Sequence, residues 1–479
     1  MGVRGIVAAF VIVAALGAGV LAAQALRSRQ DARRAHTGTA VVSVRIGERG
    51  PVVPRSFLGL SIEWDSVVPY TGGAGHRRTD LVRILAPIER AAGTPLALRI
   101  GGDTADQAWW NPGGRAARPA TVLQDIGPGT LDAVAWLARG LGGPVTLGLN
   151  LALDDPGNAA TLAAEARRRL PRGALGALEI GNEPDLYTHG RTFTSGGHVH
   201  RRLTKDPHYS VAKYGRDVER YLRTLARPSG PRLVVGGFAG PGWWPSLPRL
   251  LRGWGRGPGA VAAHLYAVPN CEAQTPSAAW LMSPAASRDR VATLAPLMTI
   301  ARRSRLPVRV SELNSAACGG RPHLSDSPAA ALWLTDTLFA ILRLGADGAD
   351  VHTWDGATYA PFVVAGHRVL PRPPLDGMLA FAKAAPAGSH LVGITVRGGS
   401  GDVRAWATTD AHRVIRVALL APDAARVAVA AGRRTGCATV WSAPPQRRRR
   451  TCLRPAARRY RIALPPRSVT VLTMPPVRP

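Results

Sequence analysis

ALEIGNE, residues 177–183, is the segment that decides the fold of this chain, and VRVSE at residues 308–312 is its counterpart. In each segment an apolar, strand-like run ends on a glutamate. A buried run of this kind is typical of a strand in a parallel sheet, and the carboxyl end of such a strand is where the sheet opens to solvent. The two segments therefore predict two carboxylates, Glu183 and Glu312, at the same open face.

Short apolar runs alternate with helical patterns between about residues 56 and 354. The runs with strand character are Ser56–Trp64, Leu96–Ile100, Val145–Asn150, Ala177–Glu183, Leu233–Phe238, Ala260–Tyr266, Pro307–Glu312 and Ala349–Trp354. The helical patterns between them include Asp80–Ala92, Gly129–Leu141, Asn158–Leu170, Tyr209–Ala226 and Pro328–Leu344. Eight strand–helix units predict an α/β protein with a (β/α)8 TIM barrel, whose chemistry lies at the strand carboxyl ends. A doubly wound sheet is the alternative, but no glycine-rich phosphate loop opens an early helix.

The pattern changes after about residue 386. Short alternating apolar pieces follow one another, turn residues separate them, and no helical stretch of useful length intervenes. This is typical of an antiparallel β-sandwich. We therefore expect a catalytic barrel at 56–385 and a C-terminal β-sandwich domain at 386–479, with a strand at 39–55 that precedes the barrel and joins the sandwich.

The N-terminus carries an uncharged apolar run from Gly5 to Leu26. Residues 1–26 are predicted to be either a signal peptide, with a small-x-small cleavage site at Ala23-Gln24-Ala25, or an uncleaved membrane anchor, since the run is long enough to span a bilayer. Residues 27–38 read as a polar linker. In both cases the body of the protein is expected to be extracytoplasmic, either secreted or anchored to the cell membrane.

Four cysteines fit an oxidising compartment. Cys437 and Cys452 flank a loop rich in proline and arginine, which favours a local disulfide. Cys271 and Cys318 both lie near predicted strand ends and are a possible second pair. The sequence has no Cys-x-x-Cys or His-Glu-x-x-His spacing, so neither a metal nor another cofactor is expected.

The chain is strongly basic, with 61 Lys+Arg against 31 Asp+Glu and a net charge of +30. All of the basic residues except Lys205, Lys213 and Lys383 are arginine. A basic surface attracts polyanions, so an acidic polysaccharide is one candidate partner; an arginine-rich bias spread over the whole surface is the other interpretation. No zinc-finger spacing, recognition-helix pattern or aromatic stacking motif supports nucleic acid.

A pair of carboxylates facing each other suits the hydrolysis of a glycosidic bond. One carboxyl group protonates the leaving oxygen, the other acts below the anomeric carbon, and retention of configuration needs the two about 5–5.5 Å apart. The strand count puts Glu183 at the end of strand four and Glu312 at the end of strand seven. The preceding Asn182 can bond a sugar hydroxyl or orient the second carboxylate, and Pro184 ends the strand.

At these residues the chain resembles the retaining glycosidases with catalytic glutamates on strands four and seven, and within them glycoside hydrolase family 79, the β-glucuronidase/heparanase family. The resemblance extends over about residues 40–475. It rests on FLGLSIE at 57–63, LRIGGDTAD at 98–106, EIGNEPD at 179–185, HLY at 264–266, SELNS at 311–315 and RSVTVL at 467–472.

The resemblance implies a role for each matching residue. Glu183 would be the acid/base and Glu312 the nucleophile, Asn182 would contact the 2-hydroxyl, and His264 and Tyr266 would line the site. Recognition of a uronate carboxylate would fall to Gly319, Gly320 and Tyr359, although an ordinary turn and ordinary packing are the alternatives there. Arg99 and Asp103, at the end of strand two, are expected to bond one of the catalytic carboxylates or to form a structural pair.

The function predicted from the sequence is that of a retaining β-glycosidase, which cleaves β-linked glucuronic acid from a glycan. One alternative is a related glycosidase for another sugar, such as an arabinofuranosidase or a xylosidase. The other is a catalytically silent carbohydrate-binding protein of the cell envelope. The choice between exo and endo cleavage stays open.

Overall fold

The computed structural model describes residues 38–476, except 196–197, 203–205, 272, 400–401, 433, 435 and 444–450. The predicted signal peptide or anchor at 1–26, and the linker up to residue 37, lie outside the described residues. Within the described part of the chain, no helix has both the length and the apolar character needed to cross a membrane.

Eight parallel strands close into a barrel, which confirms the predicted fold class. In chain order, and numbered here as barrel strands one to eight, they are Leu58–Glu63, Ala97–Gly101, Val145–Leu149, Leu175–Ile180, Arg232–Gly236, Ala260–Val268, Val308–Ala316 and Gly348–Thr353. Each strand pairs with the next, and the eighth pairs with the first through Val351 beside Leu60. The first residue of each strand lies within three residues of the first residue of its predicted run. The apolar runs therefore located the strands well.

Helices cover the outside of the barrel. Those of the described residues are Val67–Thr71, Thr79–Ala92, Pro128–Leu141, Pro156–Arg169, Val211–Leu225, Leu247–Trp254, Ala278–Leu281, Arg290–Ala292, Ala295–Arg303, Pro328–Leu344 and Pro373–Ala384. Short 3-10 turns occupy Trp64–Ser66, Asp103–Gln107, Pro184–Leu186 and Pro241–Ser246, and a π-helical turn occupies Ala285–Asp289. Most of the longer helices bury one apolar stripe on the strands, as the 3.6-residue period requires.

The helix Pro328–Leu344 is buried on nearly all of its faces because it has neighbours on two sides. It packs against the barrel strands on one side and, together with Pro373–Ala384, against the second domain on the other. Trp406 of that domain stacks on Phe339 of the helix with ring centroids 5.4 Å apart. The two domains therefore share one continuous apolar core.

The second domain is a nine-stranded, mostly antiparallel sheet. Its strands in spatial order are Thr451–Leu453, Ala438–Ala443, Ser468–Met474, Ile415–Ala421, Arg404–Thr409, His390–Arg397, Thr39–Val52, Ala425–Ala430 and Arg459–Leu464. The strand Thr39–Val52 lies between His390–Arg397, to which it is antiparallel, and Ala425–Ala430, to which it is parallel. Alternate residues of the sheet pack on the barrel helices and on a separate core centred on Val417, Leu419 and Leu472.

Three two-stranded ribbons complete the described strands. They are Ala108–Trp110 with Gln124–Ile126, Arg191–Ser195 with His198–Arg202, and Phe362–Ala365 with Arg368–Pro371. Two disulfides link Cys271 to Cys318 and Cys437 to Cys452, the two pairings considered from the sequence. The first joins the loop after barrel strand six to the loop after strand seven, at the end of the barrel where the conserved chemistry of this fold is found.

Candidate active site

A cleft of about 1090 Å³ opens at the carboxyl ends of the barrel strands. Its charged lining is mainly acidic, in contrast to the net charge of +30 of the chain. The carboxylates that line it are Glu63, Asp65, Asp103, Glu183, Asp185 and Glu312. Among the described lining residues, Arg290 is the only arginine or lysine. The excess of arginine is therefore located elsewhere on the surface.

Glu183 does not belong to barrel strand four, contrary to the predicted run. The strand ends at Ile180, and Gly181 and Glu183 both adopt positive φ angles, of 76° and 44°. A non-glycine residue rarely occupies this left-handed region, and it does so mainly where surrounding contacts hold it. The amide of Glu183 donates to the carbonyl of Gly237 at 2.9 Å. This turn points the Glu183 side chain into the cleft.

Glu312 lies inside barrel strand seven and not at its end, because the strand continues to Ala316. The pairing register with strand six slips between the pairs Ala263–Val310 and His264–Glu312, so Ser311 is the extra residue of a β-bulge. A regular strand would send successive side chains to opposite faces. The bulge instead lets Ser311 reach Glu179 at 3.0 Å while Glu312 also points into the barrel.

The two glutamates face each other across His264. Carboxylate oxygens of Glu183 and Glu312 and a ring nitrogen of His264 all lie within 4.8 Å of one another. The Nδ1 atom of His264 is 3.0 Å from Oε1 of Glu183 and 3.7 Å from Oε2 of Glu312. This spacing agrees with the roughly 5–5.5 Å between carboxyl groups in retaining glycosidases and is shorter than the ~6.5–9.5 Å of inverting ones.

Arg99 is the buried cation beneath this pair. Its Nη1 atom donates to Glu312 Oε1 at 2.9 Å and to Ser61 Oγ at 2.9 Å, and its Nη2 atom donates to Asn182 Oδ1 at 3.0 Å. Its Nε atom donates to Glu179, which is itself almost fully buried. Arg99 therefore connects the residue before Glu183 to the carboxylate of Glu312.

The surroundings of Glu312 keep it ionised. Burial raises its pKa, but the charges of His264, His352 and Arg99 and the hydrogen bond from Tyr266 outweigh burial and hold the pKa well below its usual range. The Tyr266 hydroxyl donates to Glu312 Oε2 at 2.7 Å. Hydrogen bonds and positive charges both favour the charged form of a carboxyl group. Glu312 is thus a carboxylate anion.

His264 and His352 both lie beside Glu312. Burial lowers the pKa of each imidazole, but the negative charge of Glu312 and a bond to a second glutamate, Glu183 for His264 and Glu63 for His352, outweigh burial. The pKa of both side chains therefore lies above the usual value. His352 Nε2 is 3.3 Å from Glu63 and 4.0 Å from Oε2 of Glu312. Both imidazoles therefore lie near Oε2 of Glu312, the oxygen that does not accept from Arg99.

Asn182 and Asp103 are brought together, as neighbours on adjacent loops. The side-chain Nδ2 atom of Asn182 donates to Asp103 Oδ1 at 3.4 Å, and the backbone amide of Asn182 donates to Asp106 Oδ2 at 2.8 Å. Asp103 lines the cleft. Its backbone amide donates to Glu63 at 2.9 Å, so Asp103 connects Asn182 to Glu63.

Gly319, in the loop after strand seven, and Tyr359, in the loop after strand eight, line the cleft, whereas Gly320 does not. The carbonyl of Gly319 accepts from the amides of Thr358 at 2.7 Å and Tyr359 at 3.2 Å. Gly320 has a φ of 92°, and a Cβ added there would lie 2.9 Å from Ser325 and from the Tyr359 nitrogen. Gly320 therefore shapes the loop, whereas Gly319 and Tyr359 border the space a ligand would fill.

Three residues of the site were not assigned from the sequence. Glu179 was noted only as part of a motif, yet it shares the guanidinium of Arg99 with Glu312. Glu63 also occurs only as the last residue of a motif; it is buried and accepts from the Asp103 and Thr104 backbone amides. His352 was missed, although it lies inside ADVHTW at 349–354, the run predicted as the eighth strand.

Glu183, His264 and Glu312 also form the one group among the described residues whose spacing would suit a metal ion. The neighbouring charges argue against that use, because the guanidinium of Arg99 already lies 2.9 Å from Glu312. A divalent cation at this point would face the fixed positive charge of Arg99.

A TIM barrel with an appended β-sheet domain and two facing glutamates after strand four and within strand seven is the arrangement of a glycoside hydrolase. No protein-family profile matches the chain. In sequence the chain is 25% identical over 358 residues to a β-glucuronidase of Neurospora crassa, an alignment that covers 67% of this chain and 61% of that protein. The chain thus matches less than two thirds of the length of this relative.

Solved structures of glycosidases share the fold. A 4-O-α-L-rhamnosyl-β-D-glucuronidase from Fusarium oxysporum superposes with a TM-score of 0.69 at 18% identity, over 90% of this chain and 100% of that one. The GH51 arabinofuranosidase from Xanthomonas axonopodis pv. citri gives a TM-score of 0.68 at 16% identity, over 91% and 100%. The α-L-arabinofuranosidase from Thermotoga maritima gives 0.63 at 15%, over 91% and 99%. At these identities the likeness concerns the fold.

Proposed function

We propose that the protein is a retaining β-glucuronidase similar to those of glycoside hydrolase family 79, with Glu312 as nucleophile and Glu183 as acid/base. The observation that carries the proposal is the approach of the Glu183 and Glu312 carboxylate oxygens to within 4.8 Å. At this distance no water molecule fits between a sugar and the second carboxylate in the way that inversion requires, and direct attack is favoured.

The reaction would proceed in two displacements. In the first, Glu312 Oε attacks the anomeric carbon while Glu183 gives its proton to the departing glycosidic oxygen, so one carbon–oxygen bond forms and one breaks. In the second, Glu183 takes a proton from water, the water oxygen attacks the same carbon, and Glu312 is released as a carboxylate. Asn182, which accepts from Arg99 at 3.0 Å, would bond the 2-hydroxyl.

Glucuronic acid is the proposed sugar because two independent likenesses favour it. The sequence relative is a β-glucuronidase, and one of the structural neighbours is a glucuronidase. The Gly319 amide and the Tyr359 hydroxyl would be the donors to its carboxylate: both residues line the cleft, and Tyr359 accepts from Trp354 Nε1 at 2.6 Å. Backbone and phenol donors bind carboxylates by charge-assisted hydrogen bonds.

An α-L-arabinofuranosidase is the second candidate, since several structural neighbours have that activity and the same barrel and sheet arrangement. The substrates of the two candidate enzymes differ in one group: a glucuronide carries a carboxylate, and an arabinofuranoside does not. Turnover of p-nitrophenyl β-D-glucuronide against p-nitrophenyl α-L-arabinofuranoside separates them directly. Activity on the arabinoside without activity on the glucuronide would refute the proposed substrate.

The roles of the glutamates are tested by trapping. A 2-deoxy-2-fluoro-β-D-glucuronosyl fluoride should inactivate the enzyme, and mass spectrometry of the digested protein should find the sugar on the peptide that contains Glu312. Glu312→Gln should not be labelled. Glu219→Gln, an exposed glutamate paired with Arg223 on a helix, is the matched control and should be labelled like the wild type. Labelling of another carboxylate would refute the assignment.

The two disulfides favour an extracytoplasmic location for this enzyme, because structural disulfides persist in oxidising compartments. The substrate there would be a glycan, and an acidic polysaccharide is the class that contains uronic acid. The acidic lining of the cleft means that such a substrate would need its own positive partner inside it.

A further inference from the structure

Arg290 stands apart from the other charged residues of the cleft. It follows directly after the π-helical turn Ala285–Asp289, a local distortion that is frequent at functional sites. Its Nε atom donates to the backbone carbonyl of Tyr266 at 2.9 Å. The hydroxyl of the same Tyr266 donates to Glu312. The guanidinium is thus hydrogen-bonded to the same residue whose hydroxyl donates to Glu312, the proposed nucleophile.

The remaining donors of this guanidinium have no protein partner in the described part of the chain. Among the described residues, no salt bridge includes Arg290, and Nε is the one atom of its guanidinium that has an acceptor. Burial lowers its pKa, and no nearby carboxylate offsets that effect. By contrast, Arg321 on the neighbouring loop directs its guanidinium to the carbonyls of Asn270 and Cys271. Arg290 therefore keeps two nitrogens, Nη1 and Nη2, for a group that enters the cleft.

The charge of the cleft limits what that group can be. Six carboxylates line the same space, so an anionic ligand would be repelled unless a cation offset them. Nη1 and Nη2 together form the fork that matches the two oxygens of a carboxylate. With Nε already fixed by Tyr266, that fork has a defined orientation, and little side-chain entropy remains to be lost on binding.

We propose that Arg290 is a specificity-determining residue, whose Nη1 and Nη2 bind the carboxylate of the uronic acid sugar held between Glu183 and Glu312. This assignment rests on the proposed β-glucuronidase function. It adds a charged donor to the neutral donors of Gly319 and Tyr359. It also explains how an acid-lined cleft accepts an acidic sugar.

The test compares two substrates that differ in one charge, p-nitrophenyl β-D-glucuronide and its 6-methyl ester. Arg290→Gln should raise KM for the glucuronide about tenfold to a hundredfold, the range expected for losing a charge-assisted hydrogen bond, and change kcat little. KM for the ester should stay close to that of the wild type. Arg290→Lys keeps the charge without the fork and should give an intermediate KM.

Arg249→Gln is the matched control, because it removes one positive charge from an exposed helix position outside the cleft. It should leave both KM values unchanged, which excludes an effect of the overall field. A glucuronide-to-ester KM ratio that is the same in wild type and Arg290→Gln would overturn the assignment while leaving the proposed function intact. If Arg290→Gln does not fold, as judged by its melting curve, an unchanged ratio in Arg290→Lys overturns it equally.

A different result would remove both conclusions at once. Wild-type protein that hydrolyses a neutral glycoside but neither the glucuronide nor its ester refutes the uronate substrate, and the role of Arg290 with it. The two failures are therefore distinguishable, since the first is seen only in the variant and the second in the wild type.

Discussion

Arg99 and Glu312 form a buried ion pair, with Nη1 of the arginine 2.9 Å from Oε1 of the glutamate and both side chains almost fully inaccessible to solvent. The same guanidinium also bonds Glu179. One cation is therefore shared by two buried carboxylates, and the rest of the positive charge near Glu312 comes from His264 and His352. Removing Arg99 would leave two buried carboxylates without the guanidinium that they share.

Arg99→Gln should lose both stability and activity. Breaking a buried pair by removing one partner costs ~3–5 kcal/mol of unfolding free energy. The kcat/KM should fall about 10²-fold or more, by analogy with the loss of an electrostatic group at an active site. Because Arg99 lowers the pKa of Glu312, the acidic limb of the pH–activity profile should move to higher pH. Denaturant unfolding and a kcat/KM profile against pH measure these changes.

Arg309→Gln is the control for that experiment. Arg309 pairs with Asp350 at 2.6 Å on barrel strands seven and eight and does not line the cleft. The Arg309→Gln variant should lose stability without moving the acidic limb of the pH–activity profile. Equal shifts of this limb in Arg99→Gln and Arg309→Gln would contradict a specific action of Arg99 on Glu312.

Tyr266→Phe should remove the hydroxyl that donates to Glu312 at 2.7 Å while keeping the ring. We expect kcat to fall roughly 10- to 100-fold, since a charge-assisted hydrogen bond contributes ~1.5–3 kcal/mol. Tyr221→Phe loses a comparable buried bond, from its hydroxyl to the Asn150 carbonyl at 2.5 Å, but Tyr221 does not line the cleft. Its kcat should match the wild type; parallel losses in the two variants would point to general destabilisation.

Thermal stability should be greatest in weakly acidic solution. The pKa of Glu312 is depressed on folding, so its contribution is present above the usual value of 4.5 and is lost as the pH falls through the lower folded pKa. The pKa of His352 is raised from 6.5, so its contribution is complete below 6.5 and is lost as the pH rises through the higher folded pKa. Melting temperatures across about pH 2–9 follow both limbs.

His352→Gln should reduce the alkaline loss of stability, because glutamine bonds Glu63 without a titrating charge. His367→Gln, at an exposed hairpin position, should keep the wild-type dependence. A melting temperature that falls between about pH 6 and pH 8 by the same amount in the wild type and in His352→Gln would show that another group is responsible.

Gly320→Ala should disturb the loop that carries Gly319. The new methyl group would lie 2.9 Å from Ser325 and the Tyr359 nitrogen, in addition to the cost of a left-handed φ. We expect kcat/KM on the glucuronide to fall at least about tenfold, because Tyr359 would shift. Gly345→Ala has a similar φ of 86° and open space around the added carbon, so it should lose ~1–2 kcal/mol of stability but keep its activity.

The disulfide Cys271–Cys318 should matter for binding, whereas Cys437–Cys452 should not. Cys318 adopts a φ of 57°, and its disulfide ties the strand-seven loop to the strand-six loop at the cleft. Replacing both cysteines of this pair by serine should raise KM several-fold through loss of loop order. The matched double replacement of Cys437 and Cys452, in the sheet domain, should leave KM unchanged. An equal KM in both double variants would argue against a role for the first disulfide.

The sequence was sufficient for the barrel because its strands are buried on both faces, so each reads as a short apolar run bounded by turn residues. It was sufficient for the approximate position of Glu183 and Glu312 for the same reason. Local backbone geometry was not readable. The left-handed turn at Glu183 and the bulge at Ser311 depend on contacts with Gly237 and Glu179, which are distant in the chain.

Charged residues inside the barrel were the hardest to assign. A polar residue in an apolar run can be a strand end, an ion pair or a catalytic group, and only the partner decides. Glu179 pairs with Arg99, and His352 lies beside Glu63 and Glu312. These partners are distant in the chain, so the roles of Glu179 and His352 could not be stated from the sequence. The net charge of the chain suggested a basic cleft, whereas the charged lining of the cleft is mainly acidic. Net charge does not report where the charges lie.

The strand Thr39–Val52 ties the beginning of the described chain into the middle of the sheet formed by its end. Cutting the chain near residue 386 would therefore not release a self-sufficient barrel, because the opening strand would lose both neighbours and the helices Pro328–Leu344 and Pro373–Ala384 would lose their cover. A ribosome must have synthesised the chain as far as the strands His390–Arg397 and Ala425–Ala430 before the strand Thr39–Val52 can pair. The barrel and its companion sheet therefore depend on each other, although their first and last strands are synthesised far apart in time.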